Sequence, residues 1–264
     1  MKRFKFKFKI IVLSFSLLLA SAAPSLGAGS GGELLKVDWS FKGLTGKFDR
    51  ASLQRGFQVY KEVCSSCHSM QYLSYRNLGE PGGPEFSEQE VKAIALSIEI
   101  EDGPDSQGEM FTRPGRPSDK FKSPYPNVNA SIVANGGAYP PDMSVLVKAR
   151  PGGSNYIYSV LMGYEDPPTG TTLDEGVYYN KYMIGNKIKM SAPLIEDIVE
   201  YTDGTQATVE QMSKDVTTFL TWAAEPELEE RHRTGVKVVI YLILLTTLVY
   251  LSMKKIWSRV DTEV

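Results

Sequence analysis

The sequence predicts a mainly α fold, in which a helical domain with long loop insertions is followed by one C-terminal transmembrane helix. Three observations carry this expectation. Apolar residues recur at helical spacing in two well-separated stretches, Phe48 to Val63 and Thr208 to Ala223. Between these stretches lie thirteen of the fifteen prolines, from Pro81 to Pro193, so regular structure there is short and scattered. Near the end, Val236 to Met253 is an apolar run of 18 residues broken only by Lys237. At about 1.5 Å per residue such a helix reaches roughly 27 Å, enough to cross a bilayer with Lys237 snorkelling at one interface.

Taken in order, the chain begins with Lys2, Arg3, Lys5, Lys7 and Lys9, an apolar stretch from Ile10 to Ala20, and small residues up to Ala28. This is the three-part layout of a secretory signal peptide. The expectation is a cleaved leader over residues 1–28, cut near Ala22 or Ala28, with residues 29–235 exported as the folded domain. Its removal takes the formal charge from −2 to −7, because it holds five bases and no acid. The exported part has no cysteine outside one short motif, so no structural disulfide can stabilise it.

That motif is Cys64-Ser-Ser-Cys67-His68, and its two cysteines are the only two in the chain. A zinc site needs about four Cys or His ligands, yet beyond this stretch only His232 is available. A thioredoxin-like dithiol expects a βαβ setting, which is missing around the motif. C-x-x-C-H is also the pattern of covalent c-type haem attachment, with Cys64 and Cys67 forming thioethers and His68 ligating the iron. An export leader fits that reading, since such haem is attached on the far side of the membrane.

The helix expected over Phe48 to Val63 runs directly into the cysteines, with Asp49 or Ser52 as its cap. Gly56 in its middle costs about 1 kcal/mol relative to alanine, which suggests that another helix crosses closely there. The partner is Thr208 to Ala223, capped by Thr208 and stopped by Pro226. In the proline-rich middle, helices are expected over Glu88 to Glu101, Asp142 to Ala149 and Asn155 to Met162. Loops of such length in a domain are unusual unless they wrap a ligand or form a binding surface, and a large planar cofactor is such a ligand. Glu225 to Arg233 reads as a charged hinge, residues 236–253 as the membrane helix, and residues 254–264, with Lys254, Lys255 and Arg259, as a cytoplasmic tail.

If His68 holds one face of an iron, the other face needs histidine, methionine or an open position. His232 lies at the membrane border. Met70 is too near His68 to cross a haem plane, Met1 is in the leader and Met253 is in the membrane. Met110, Met143, Met162, Met183, Met190 and Met212 remain. Met190 stands out in Lys-Met-Ser-Ala-Pro-Leu, where small residues and a proline suit a preset loop pressing a thioether onto a flat macrocycle. A His/Met pair is typical of haems that carry electrons, and it raises the reduction potential.

Further segments bear a resemblance. Arg55 to Ser69, Tyr75-Arg-Asn-Leu, Asp102-Gly-Pro, Gly108 to Gly115, Pro124-Tyr-Pro-Asn, Asn135 to Ser144, Lys189 to Leu194 and Asp215 to Glu227 resemble the cytochrome c1 family in its bacterial form. These are the haem subunits of the ubiquinol–cytochrome c oxidoreductase (bc1) complex. The resemblance implies a class I cytochrome c-like domain, one covalently attached haem c on Cys64 and Cys67, axial ligands His68 and Met190, and Arg113 near a haem propionate. Lys120 departs from the aromatic residue common in relatives. It further implies cytochrome b and the Rieske iron–sulfur protein as partners, a cytochrome c as acceptor, a dimeric complex with no nucleic acid, and a bacterial inner membrane with the haem domain on the periplasmic side. Glu99, Glu101, Asp102, Asp105 and Glu109 form an acidic stretch suited to a basic partner, and residues 29–235 hold 29 acids against 20 bases. The competing function is a membrane-anchored c-type cytochrome serving a terminal oxidase.

Overall fold

The computed structural model describes residues 32–260; the leader expected over residues 1–28 and the last four residues of the tail lie outside them. Among the described residues six α-helices and two short hairpins succeed one another: α1 (Arg50–Glu62), α2 (Glu88–Leu96), β1 (Glu99–Asp102), β2 (Phe111–Pro114), α3 (Val128–Ala134), α4 (Ser154–Met162), β3 (Tyr178–Tyr179), β4 (Lys187–Ile188), α5 (Val209–Ala224) and α6 (Leu228–Val260). Both two-stranded sheets are antiparallel.

The core is organised where α1 crosses α5. Asp49 caps α1 by accepting from the Ala51 amide, and Thr208 caps α5 through the Gln211 amide. A Cβ added at Gly56 would sit 2.1 Å from the Asp215 carbonyl oxygen, so only glycine lets the two backbones approach this closely. Around the crossing, Phe219 packs its ring at a tilt 5.7 Å from Phe57 and 5.8 Å from Tyr60. Beside it Arg55 grips the fully buried Asp215 with two bonds of 2.8 and 3.1 Å and holds Asp203 at 2.7 Å. Burial opposes the charge on Arg55, but the two carboxylates outweigh it and hold its pKa above the ordinary value.

Helix α4 leans on the other side of α5 through a buried Ser154–Thr221 hydroxyl pair at 2.9 Å. The segment before α1, on which the sequence reading was silent, wraps this pair: Trp39 packs edge-on to Tyr158 at 5.9 Å and donates from Nε1 to Asn155 at 2.7 Å.

Three sequence expectations are corrected. The helix expected over Glu88 to Glu101 stops at Leu96, and Glu99–Asp102 turns into strand β1. The alternation Ile98-Glu-Ile-Glu has a period of two, which suits a hairpin and not a helix. Asp142 to Ala149 forms a succession of tight turns, whose amides bond three residues back, Leu146 N to Met143 O at 3.3 Å and Lys148 N to Val145 O at 3.0 Å, while Met143 N donates to Ser69 O at 2.8 Å. The short helix α3, capped by Asn127, was not expected.

The third correction concerns the hinge. The charged residues after Pro226 form the first turns of α6, and they are fastened to the domain. Glu229 accepts from Arg50 at 2.8 and 2.9 Å and from the Phe48 amide at 2.9 Å, and His232 Nδ1 donates to Gly46 O at 3.1 Å. Beyond them the apolar part of α6 is exposed along its length, with Ile243, Leu248 and Ile256 all open, as expected of a single membrane anchor.

Replacing Gly56 by alanine is expected to destabilise the full chain by about 1–3 kcal/mol through overpacking of the α1–α5 crossing. Thermal unfolding of the detergent-solubilised protein measures it, and an unchanged midpoint would mean the helices can part at no cost.

Candidate haem site

Helix α1 ends one residue before the motif and delivers it to a single turn of 3₁₀ helix, Cys64–Ser66. The Cys64 carbonyl accepts from both the Cys67 amide, at 3.1 Å, and the His68 amide, at 2.9 Å. The Ser65 and Ser66 hydroxyls turn back onto the carbonyls of Lys61 and Val63, at 2.7 and 2.8 Å. The serines therefore close the helix end, which leaves the cysteines and histidine to face the domain interior. Burial first, and Cys67 second, push the Cys64 thiol up to about 12, so it is a thiol at neutral pH.

His68 is buried, and its Nδ1 lies 2.9 Å from the Pro141 carbonyl. A carbonyl only accepts, so Nδ1 carries the proton and Nε2 keeps its lone pair for a metal. Burial lowers the pKa of the ring against the pull of Pro141 and Asp142, which keeps it neutral. Asp142 then pins this corner. It accepts from Ser69 Oγ at 2.7 Å, Gln71 N at 2.9 Å and Ser144 N at 2.9 Å, joining the chain after His68 to the chain after Pro141. Outer partners of this kind orient a ligating imidazole.

These residues open onto a mainly apolar cavity of about 470 Å³. Cys64, Cys67 and His68 form one side; Tyr156, Ile157, Val160 and Leu161 of α4 and Val216 and Leu220 of α5 form its floor. Met190 lines it too, with Lys189 and Ser191. Of the six methionines left open by the sequence, Met143, Met183 and Met190 line this cavity. The Met183 sulfur already accepts from the Tyr156 hydroxyl at 3.1 Å, and Met143 is tied to the His68 side through Ser69. Met212 is fully buried on α5 and Met110 is exposed. His232 is at the base of the domain beside Gly46.

Arg113 is not brought to the cavity. It lies on β2, where it bonds Asp102 at 2.5 Å and Asp119 at 2.7 and 3.0 Å, fastening the β1–β2 hairpin to the following loop. Asp119 is pulled down to about 2 by this contact. The guanidinium that does line the cavity is Arg150, with Asn135 nearby. Sequence reasoning missed Arg150, Pro141 and Asp142. The Pro-Pro-Asp run was the available signal, since a rigid carbonyl followed by an acid suits a fixed hydrogen-bond acceptor. Lys120 donates to Tyr72 O at 3.1 Å.

Two thiols and a neutral imidazole with a free Nε2 on one apolar cavity fit a covalently held haem. A bare metal ion is a poor alternative, since among the described residues no cluster of three His, Cys, Asp or Glu could bind one. Haem c supplies one-electron redox chemistry at its iron. A cavity of this composition on a domain that, among the described residues, carries one helix long and apolar enough to cross a membrane defines a membrane-anchored c-type cytochrome.

The chain belongs to the Cytochrome C1 family, whose model matches residues 39–260. It is 51% identical over 222 residues to cytochrome c1-2, heme protein, mitochondrial, of Solanum tuberosum, covering 83% of this chain and 84% of that protein. It is 46% identical over 250 residues to cytochrome c1 of Rhodospirillum rubrum, covering 88% and 91%. To cytochrome b/c1 of Bradyrhizobium diazoefficiens it is 50% identical over 239 residues, 83% of this chain but 35% of that longer protein. The chain is thus an electron-transfer subunit of the bc1 complex, with covalently bound haem c and with cytochrome b and the Rieske protein as fellow subunits.

Replacing Asp142 by alanine removes the acceptor of three hydrogen bonds and is expected to cost about 2 kcal/mol or more. Denaturant unfolding followed by haem absorbance measures this. Asp142→Asn, which keeps one acceptor oxygen, should recover part of the loss.

Proposed function

We propose that this protein receives electrons from the Rieske iron–sulfur protein and passes them to a cytochrome c, through a haem held between His68 and Met190. The observation that supports this reading is that His68, with Nε2 free, and Met190 both line the same mainly apolar cavity. His68 and Met190 would hold the iron of a bound haem from its two faces, which would close it to oxygen and peroxide and favour electron transfer over catalysis. Arg150, in the cavity wall, suits a haem propionate. In this reading residues 1–28 are a cleaved leader, residues 29–235 lie in the periplasm, residues 236–253 cross the bacterial inner membrane, and the complex is a dimer. Met190→Leu should leave the haem attached, lower its midpoint potential by about 100 mV or more and admit carbon monoxide to the reduced iron. Redox titration and a carbon monoxide difference spectrum check this, and continued exclusion would point to another ligand.

The acceptor's landing zone is the β1–β2 hairpin. Glu99 and Glu101 share the exposed face of β1, and Glu109 is exposed near its tip. Asp102 is held below the usual carboxylate range by its bond to Arg113, so it stays charged but is partly neutralised by that partner. Association with a basic cytochrome c is expected to slow at least about tenfold as ionic strength rises from ~0.01 M to ~0.15 M. Glu99→Lys with Glu101→Lys should flatten that dependence in stopped-flow traces. A rate indifferent to salt would remove the hairpin from the docking site.

A further inference from the structure

Met190 sits in a segment with little structure of its own, after the two-residue strand β4. Among the described residues, the only side chain whose hydrogen bond reaches residues 189–193 is Tyr164, whose hydroxyl donates to the Met190 carbonyl at 3.1 Å. Tyr164 does not line the cavity, and it lies two residues beyond the end of α4.

Its own position is fixed by a buried clasp. Asn180 is fully buried; its side chain donates to Val160 O at 2.8 Å and accepts from the Tyr182 amide at 3.1 Å. Tyr164 and Asn180 form a β-bridge, and Lys181 N donates to Gly163 O at 2.9 Å. Gly163 has no room for a side chain, since a Cβ there would meet Asn180 Oδ1 at 2.7 Å and the Tyr182 ring at 2.7 Å. The loop 180–190 is therefore hung from the end of α4, the helix that floors the cavity, whereas the thiols and His68 hang from the end of α1.

From this geometry we infer that Tyr164 is a positioning residue for the Met190 thioether: its hydroxyl holds the Met190 backbone at the cavity and so keeps the second axial position closed. The inference rests on Met190 being that ligand. One hydrogen bond of this kind is worth about a fivefold shift between held and released segments.

The test compares Tyr164→Phe with Met190→Leu in the intact membrane complex. Three quantities are read: haem stain with unfolding midpoint, reduction potential, and the rate at which carbon monoxide binds the reduced haem. Tyr164→Phe is expected to keep its haem, to lower its unfolding midpoint by no more than about 2–4 °C, to lower the potential, and to raise the carbon monoxide rate about fivefold over native, with Met190→Leu fully reactive. If Met190→Leu is open while Tyr164→Phe matches native in rate and potential, the positioning role is overturned and the ligand reading stands. If Met190→Leu itself stays closed, the ligand reading fails and this inference with it.

Discussion

The rest of the domain depends on the crossing of α1 and α5. A glycine at position 56 allows contact of the two backbones, and the Arg55–Asp215 pair beside it is buried enough that neither charge can be left alone. Because α1 runs straight into Cys64 and α5 supplies Val216 and Leu220 to the cavity, this one contact sets how far the thiols stand from the cavity floor. Helix α4, which brings the remaining floor, is referenced to the same α5 through Ser154 and Thr221. The site is thus built on one scaffold helix with two others laid across it.

The loops behave differently from the helices. The long stretch between α2 and α5 is short of regular hydrogen bonding, and its order comes from specific side chains that act as local cross-links. Asp142 ties the strand of chain after His68 to the turn after Pro141, while Arg113 ties the hairpin to Asp119. The Asp142 cross-link joins residues more than seventy positions apart and closes a large loop, whereas the Arg113–Asp119 pair, six positions apart, closes a short one.

The parts of this arrangement that were legible in the sequence are those set by local chemistry. Helical spacing gave α1 and α5 almost to the residue, Thr208 and Asp49 announced their caps, and an isolated glycine announced the crossing. The C-x-x-C-H pattern gave the attachment residues because thioether and imidazole chemistry need those types at that spacing. What stayed hidden depends on pairs distant in the chain. Nothing near Arg150 revealed that the fold would carry it to the cavity, since the other lining residues come from positions as far off as Cys64 and Leu220. The charged run after Pro226 looked like a hinge since its partners, Arg50 and the Phe48 amide, lie some 180 positions earlier.

That fastening has a mechanical consequence. A membrane helix whose first turns are bolted to Arg50 and Gly46 is a post and not a leash: the apolar span leaves the domain from a fastened corner and not from a free linker.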